Sequence, residues 1–505
     1  MRMKFALKGL VLAVAAVTLT ACSGGVVPEP TKSPEAVPAE YQPYYSQTLE
    51  WTECHDGMQC ATAIAPLDWN KPTGETIELA LVRHPATSSK KLGSLFVNPG
   101  GPGASGVSFI ADSLDYAVSG AVQKNYDVIG FDPRGVGAST PVVCVDSAAQ
   151  MDEFLFGTLD AVRESPEWFA QRGAASKEFA DGCAQRTGEL LAHVDTVSAA
   201  HDLDMLRATV GDRELNYLGY SYGTLLGAIY AENFPGNVGR MVLDGALDPS
   251  SSSFDVNLTQ AVGFENALRA YLKDCLEGSD CPFSGSVDSA MTQIGDLLAG
   301  LDQSPITASD GRELSSDAML TAIIAPLYNK DAWSYLSDVF TAVFDGDADP
   351  AFGAVDWYYN RSEDGTYSDN STESFLAINC LDYPVNSDPA QWASDAKVLA
   401  DKAPVIGPYL SYGDQLCSEW PYKAVMTPQK VSAQGAGDIL VIGTTGDPAT
   451  PYRWAKALAA QLEGGHLISY TGQGHTAYNK SNACVNDAVD GFLLRGKVPA
   501  QDPKC

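Results

Sequence analysis

Basic residues are scarce: 32 Lys and Arg stand against 63 Asp and Glu, a net charge of −31. With no basic patch along the chain, nucleic acid is excluded as a partner. No Gly-x-x-x-x-Gly-Lys-Ser/Thr segment is present, so the chain lacks the phosphate cradle of an ATP or GTP site. No Cys-x-x-Cys pair occurs either, which argues against a zinc or thioredoxin-type centre and predicts no metal and no cofactor. Histidine is rare, with six in 505 residues, so any reaction that needs an imidazole base has few residues to draw on. Beyond the N-terminus no apolar run is long enough to cross a membrane, and no internal repeat is found. The acidic excess reads first as a solvated surface and second as a preference for neutral or cationic substrates.

The length of 505 residues and a hydrophobic content of 45% predict a sizeable core, in several domains or in one with a large insertion. Arg2, Lys4 and Lys8 precede the short apolar stretch 10–17, the pattern of an export signal. Leu19-Thr-Ala-Cys22 then resembles a bacterial lipobox, with Cys22 as the lipidated first residue of the mature chain. Residues 22–45 hold Pro28, Pro30, Pro34, Pro38 and Pro43 and are expected to form an extended tether. The expected location is the outer face of the cell membrane, or the medium if the anchor is lost. Ten further cysteines, an even number, suit an oxidising compartment and five disulfides. Spacing alone leaves the pairing open. Neighbour pairing would give Cys54–Cys60, Cys144–Cys183, Cys275–Cys281, Cys380–Cys417 and Cys484–Cys505.

From Trp51 onward, short apolar segments alternate with helical patterns. Strands are expected at 77–83, 94–98, 126–131, 214–220, 238–243, 439–443 and 466–470. Helices are expected at 198–210, with Ser198 as N-cap, and at 224–232, 452–462 and 483–494. Alternation of this kind predicts an α/β class with a mainly parallel central sheet and helices on both faces. Between 251 and 432 helical segments dominate, which reads as a helical cap inserted between core segments 46–250 and 433–505. A separately folded domain is the alternative.

The most informative segment is Gly219-Tyr-Ser-Tyr-Gly223, between an expected strand and an expected helix. Strand, Gly-x-Ser-x-Gly and helix make the nucleophile elbow of the α/β-hydrolase fold, where small neighbours let a strained turn push the serine outward. A serine hydroxyl needs a base, and the base needs an orienting acid. In this fold they follow in the order serine, acid, histidine. Only His466 and His475 come after Ser221. His466 opens a strand, whereas His475 lies in the loop Gly472-Gln-Gly-His-Thr476 at a strand's C-terminal end, where such sheets carry their sites. Asp447 and Asp244 each follow a strand. Asp447, 28 residues before His475, is the better placed acid, and Asp244 is left to orient a loop or face substrate. The N–H of Tyr222 and one from Gly100 or Gly101, in the small-residue loop Asn98-Pro-Gly-Gly-Pro-Gly103, would hold an oxyanion. The same loop contains a formal Gly-x-Gly-x-x-Gly at 101–106, which would otherwise signal a dinucleotide. That reading makes the order of elbow, acid and histidine a coincidence, so no nucleotide is expected.

Asn98-Pro-Gly-Gly-Pro-Gly103 resembles the His-Gly-Gly-Pro-Gly loop of proline-iminopeptidase-like hydrolases, with Asn98 in place of the histidine. Phe131-Asp-Pro-Arg-Gly-Val-Gly-Ala-Ser139 resembles their Asp-x-Arg-Gly-x-Gly-x-Ser segment. Together with the elbow and Thr445-Gly-Asp-Pro-Ala-Thr-Pro451, the chain is most similar to the secreted tripeptidyl-aminopeptidase-like branch, as a lipoprotein member. Separately, a monomer is expected. The resemblance implies Ser221, Asp447 and His475 as a triad and release of di- or tripeptides from free N-termini. It also implies an anion for the substrate ammonium, with Asp382 in Ala377-Ile-Asn-Cys-Leu-Asp382 as first choice and Glu419 as second. A cell-envelope carboxylesterase, or an enzyme with both activities, is the alternative. A binding lipoprotein that kept the fold without activity is more remote.

Overall fold

The central strands are rich in β-branched and aromatic residues. Two of them, β4 (Ser94–Asn98) and β5 (Asp127–Phe131), are buried at every position, as happens when helices cover both faces of a sheet. The computed structural model describes residues 36–505; Cys22, the apolar leader and the first part of the tether lie outside the described residues. The remaining strands of the main sheet are β1 (Thr52–Glu53), β2 (Gln59–Pro66), β3 (Thr76–His84), β6 (Leu215–Tyr220), β7 (Val238–Asp244), β8 (Ile439–Gly446) and β9 (Gly465–Gln473). Their spatial order is β1-β2-β3-β5-β4-β6-β7-β8-β9. From β5 to β9 every pairing is parallel, and β1, β2 and β3 add an antiparallel margin.

Alternate residues of the parallel strands feed two cores. Leu95, Val97, Val128, Leu218 and Val242 pack under helix α1 (Gly106–Ala117) and the C-terminal helix. Phe96, Ile129, Tyr217, Met241 and Val441 face the other way. The helices named in this fold are, after α1, α2 (Pro166–Thr187), α3 (Thr196–Val210), α4 (Tyr222–Asn233), α5 (Ser253–Glu277), α6 (Val287–Leu301), α7 (Ser316–Leu327), α8 (Trp333–Phe344), α9 (Asp349–Tyr359), α10 (Ser371–Asp382), α11 (Pro389–Lys402), α12 (Arg453–Gln461) and α13 (Ala483–Arg495). Helices α5 to α9 surround a third apolar core built on Phe264, Leu268, Ile294, Ile323, Phe340 and Phe352. Besides helices, the stretch between β7 and β8 holds one small hairpin, Ile306–Thr307 with Glu313–Leu314.

Two local expectations need correction. The tether was to stay extended through Tyr45, yet Gln42–Tyr45 is a helical turn whose Tyr44 and Tyr45 are buried. Aromatic burial ends the tether early: Tyr44 donates to the Pro72 carbonyl (2.5 Å), Tyr45 donates to Asp204 (2.9 Å), and both rings meet Trp69 edge-on. Helix α3 begins at Thr196, and its N-cap is Asp195, not Ser198; the Asp195 carboxylate takes both the N–H and the hydroxyl of Ser198. The stretch around α2 also meets residues between β7 and β8: Gln415 donates to the Phe169 carbonyl, and Arg163 pairs with Asp302 and Asp317.

Five bonded cysteine pairs staple the described chain: Cys54–Cys60, Cys144–Cys183, Cys275–Cys281, Cys380–Cys417 and Cys484–Cys505. Cys144–Cys183 closes 39 residues and anchors α2; the Cys144 N–H also donates to Glu373 of α10 (2.7 Å). Replacing both cysteines by Ser is expected to lower unfolding free energy by about 2–4 kcal/mol in a denaturant titration.

Candidate active site

Ser221 sits between β6 and α4 with φ 54° and ψ −124°, a conformation that costs a non-glycine residue energy. The turn is clamped. Ser221 N–H donates to the Asp244 carbonyl (2.9 Å), and the Ser221 carbonyl accepts from the N–H (2.8 Å) and hydroxyl (2.6 Å) of Thr224. The two glycines of the motif are explained by contact. A Cβ on Gly219 would lie 2.3 Å from the Gly223 carbonyl oxygen, and one on Gly223 would lie 2.8 Å from Asn98 Oδ1.

His475 lies just beyond β9. Its Nδ1 is 2.9 and 3.0 Å from the two oxygens of Asp447, which follows β8. Parallel pairing of β8 with β9 brings these strand ends side by side. Asp447 is buried and fully coordinated: it accepts from the N–H groups of Ala449, Thr450 and Thr476 and from the Thr450 hydroxyl. Those donors fix both oxygens, so the imidazole is held in one orientation. The other ring nitrogen, Nε2, is buried and has no hydrogen-bond partner among the described residues. It is therefore the nitrogen left to take a proton from a hydroxyl.

Asp244 is also fully buried, and burial raises its pKa. Its oxygens accept from the N–H groups of Ala477 (2.9 Å) and Tyr478 (2.7 Å), which orients the loop after His475. The substrate-facing option for Asp244 is thereby removed. His466 pairs with Asp438 near the opposite ends of β8 and β9, at 2.8 Å.

The glycine loop presses on the elbow. A Cβ on Gly100 would lie 2.5 Å from the Tyr220 carbonyl oxygen and 2.9 Å from Ser221 Cβ. The Gly100 N–H is already used, donating to Asn98 Oδ1 at 2.9 Å. Gly101 N–H and Tyr222 N–H have no acceptor among the described residues, which favours Gly101 over Gly100 as the second donor. Asn98, the departure from the iminopeptidase-like loop, thus acts on the loop's own backbone.

The segment after β5 supports this loop. Asp132 accepts from the Ser105 hydroxyl (2.6 Å) and from the N–H groups of Val107 and Ala138. Arg134 is buried in a two-point pair with Asp202 and donates to the carbonyls of Pro66, Leu67 and His193. The Asp-Pro-Arg-Gly motif is therefore a brace between loop and core.

The two carboxylates expected to meet a substrate ammonium do not offer themselves. Asp382 is fully buried, with Oδ1 accepting from Thr196 N–H (2.8 Å) and Oδ2 from the Thr196 hydroxyl (2.5 Å). Burial pushes its pKa up to about 7, against the opposing effect of the Thr196 hydrogen bonds. Glu419 is exposed at the end of a short helix, in the field of Lys177 on α2. Sequence reasoning missed Thr450, whose hydroxyl lies 3.0 Å from Asp447 and 3.2 Å from His475 Nδ1. It also missed Tyr328 of the cap: the Tyr328 carbonyl accepts from His475 N–H (2.8 Å), and its ring stands edge-on to the imidazole, centroids 5.4 Å apart. Thr450 lies inside Thr445-Gly-Asp-Pro-Ala-Thr-Pro451, so a hydroxyl three residues after the acid was a readable signal. Tyr328 had none, being a contact across the insertion.

Among the described residues only Cys54, His55 and Cys60 come close enough together to hold a metal, and those two sulfurs are bonded to each other. No described helix is long and apolar enough to cross a membrane.

The family described as TAP-like protein matches residues 403–505, the segment that carries Asp447 and His475. Over nearly its whole length the chain is similar to the serine protease Hip1 of Mycobacterium tuberculosis, 36% identical over 489 residues and 92% of each chain. It is equally similar to carboxylesterase B of the same organism, 36% identical over 495 residues, covering 94% of this chain and 93% of the relative. The tripeptidyl aminopeptidase of Streptomyces lividans is 31% identical over 471 residues, covering 90% of this chain and 86% of the relative. With its mainly parallel sheet and its elbow, this chain is a serine hydrolase that belongs to the TAP-like family of α/β-hydrolases.

Proposed function

We propose that the protein is an exported serine exopeptidase that releases short peptides, of two or three residues, from free N-termini. One observation carries the reading: His475 is clamped by Asp447 through Nδ1 with its buried Nε2 left without a partner among the described residues, and Ser221 stands on a strained elbow. Ser221 Oγ attacks the scissile carbonyl carbon while its proton passes to Nε2. The tetrahedral oxyanion is held by Tyr222 N–H and Gly101 N–H, each donor contributing on the order of 3 kcal/mol. Collapse breaks the C–N bond as the imidazolium returns the proton to the leaving amine. Water, deprotonated by the same nitrogen, then splits the acyl-enzyme. The export half of the proposal is supported by the five disulfides and by the lipobox-like Leu19-Thr-Ala-Cys22, which would anchor the enzyme at the outer membrane face. The relatives named as serine protease and tripeptidyl aminopeptidase support peptide bonds as the target.

A carboxylesterase is the second reading. It is favoured by the carboxylesterase B relative and by the geometry of Asp382 and Glu419, neither of which is an open anion at the site. A peptide-library digest with free and acetylated N-termini separates the two. The exopeptidase predicts release of di- and tripeptides from free substrates and at least about tenfold slower cleavage of blocked ones, a difference of about 1.4 kcal/mol. Equal rates on both sets contradict an aminopeptidase. Rapid hydrolysis of acyl esters with no peptide turnover replaces it by the esterase.

A further inference from the structure

Helix α10 of the cap touches both halves of the oxyanion site. At its first turn, a Cβ on Gly103 of the glycine loop would lie 2.6 Å from the Ser371 carbonyl oxygen and 3.1 Å from Ser374 Cβ. At its last residue, Asp382 enters the core beneath the elbow. Twelve residues of helix, about 18 Å, span the two points. The Cys380–Cys417 bond and Glu373, bonded to Cys144 N–H, hold this helix from other sides.

Asp382 is part of a directed chain of hydrogen bonds. An ionised carboxylate only accepts, so Thr196 donates to it twice, from N–H and from Oγ1. The threonine hydroxyl has then spent its single proton. Its oxygen, 2.5 Å from the Tyr222 hydroxyl, accepts from that tyrosine. Tyr222 is buried, and its backbone N–H is the one that follows the nucleophile. We propose that Asp382 is a positioning residue: through Thr196 it holds the Tyr222 hydroxyl, and so fixes the turn whose N–H meets the oxyanion. The proposal rests on the acyl-transfer reading above, and it reassigns a carboxylate first expected to bind substrate.

Protonating Asp382 gives that carboxyl a hydrogen to donate and removes the reason for the chain to run in one direction. The titratable groups that face it are Asp195 at the cap of α3, Tyr222 on α4 and Tyr383 beside it in the chain. Burial and the Asp195 charge raise its pKa, and the Thr196 bonds oppose them, leaving it at about 7. The sign follows: the competent, ionised form is present above that pH and is lost as pH falls through it. Activity should therefore fall on the acid side as Asp382 takes up its proton.

The test uses Asp382→Asn, Tyr222→Phe and their double variant, assayed for kcat, KM and pH dependence. Tyr222→Phe keeps the ring and removes only the hydroxyl, so it serves even if the aspartate variant folds poorly. Each variant is expected to lower kcat about tenfold or more with KM changed less than threefold. The double variant should fall no further than the worse single one. The fall in kcat/KM as pH drops through about 7 should be weaker in Asp382→Asn than in the wild type. Fluorophosphonate labelling of Ser221 should still reach completion in all three. A Tyr222→Phe enzyme with wild-type kcat and pH profile overturns the proposal. So does an Asp382→Asn enzyme whose KM rises for free but not for blocked peptides, which would return Asp382 to ammonium binding. An unlabelled wild-type enzyme overturns this proposal and the nucleophile assignment together.

Discussion

Ser221→Ala is expected to lower kcat by about 10⁴–10⁶-fold, leaving only the rate that binding and oxyanion donors supply without a nucleophile. Stability should change little. Alanine pays the same backbone strain at φ 54° as serine does, and the clamps on the turn are mostly backbone: the N–H to Asp244 and the carbonyl to Thr224 remain. Steady-state turnover and thermal unfolding measured on the same preparation check both halves. A variant with more than about a hundredth of wild-type kcat would mean that another group attacks the substrate.

The second large effect separates the two buried acids. Asp447→Asn is expected to cost about 10⁴-fold in kcat, because an amide nitrogen turned toward Nδ1 favours the wrong imidazole tautomer and cannot stabilise the imidazolium. Asp244→Asn should act mainly on stability. It keeps one acceptor for Ala477 and Tyr478 N–H but weakens two charge-assisted bonds, a loss of about 1–3 kcal/mol, with kcat reduced by less than about 100-fold. If the aspartate roles were reversed, the two kcat losses would exchange places. Measuring kcat for both variants against the same substrate decides it.

The elbow, the positions of the parallel strands and the neighbourhood of Asp447 and His475 were legible because each depends on local patterning. Short apolar runs set strands, Gly219 and Gly223 mark a turn too crowded for side chains, and parallel neighbours bring strand ends together. What stayed hidden depends on contacts distant in sequence. The choice between Gly100 and Gly101 rests on a side-chain oxygen of Asn98, and the role of Asp382 rests on Thr196, 186 residues away. The tether ends earlier than its prolines imply because the Tyr44 and Tyr45 rings meet Trp69, a contact made only in three dimensions. Tyr328 touches His475 across the cap, a segment whose helical patterning says which face is buried but not against what.

The most direct test of the account is peptide mapping by mass spectrometry after reaction of the oxidised enzyme with a fluorophosphonate. Attack by Ser221 Oγ with loss of fluoride predicts one phosphonyl group, on the peptide that holds Gly219-Tyr-Ser-Tyr-Gly223, at Ser221. An adduct on any other residue of a fully inhibited enzyme would contradict the account.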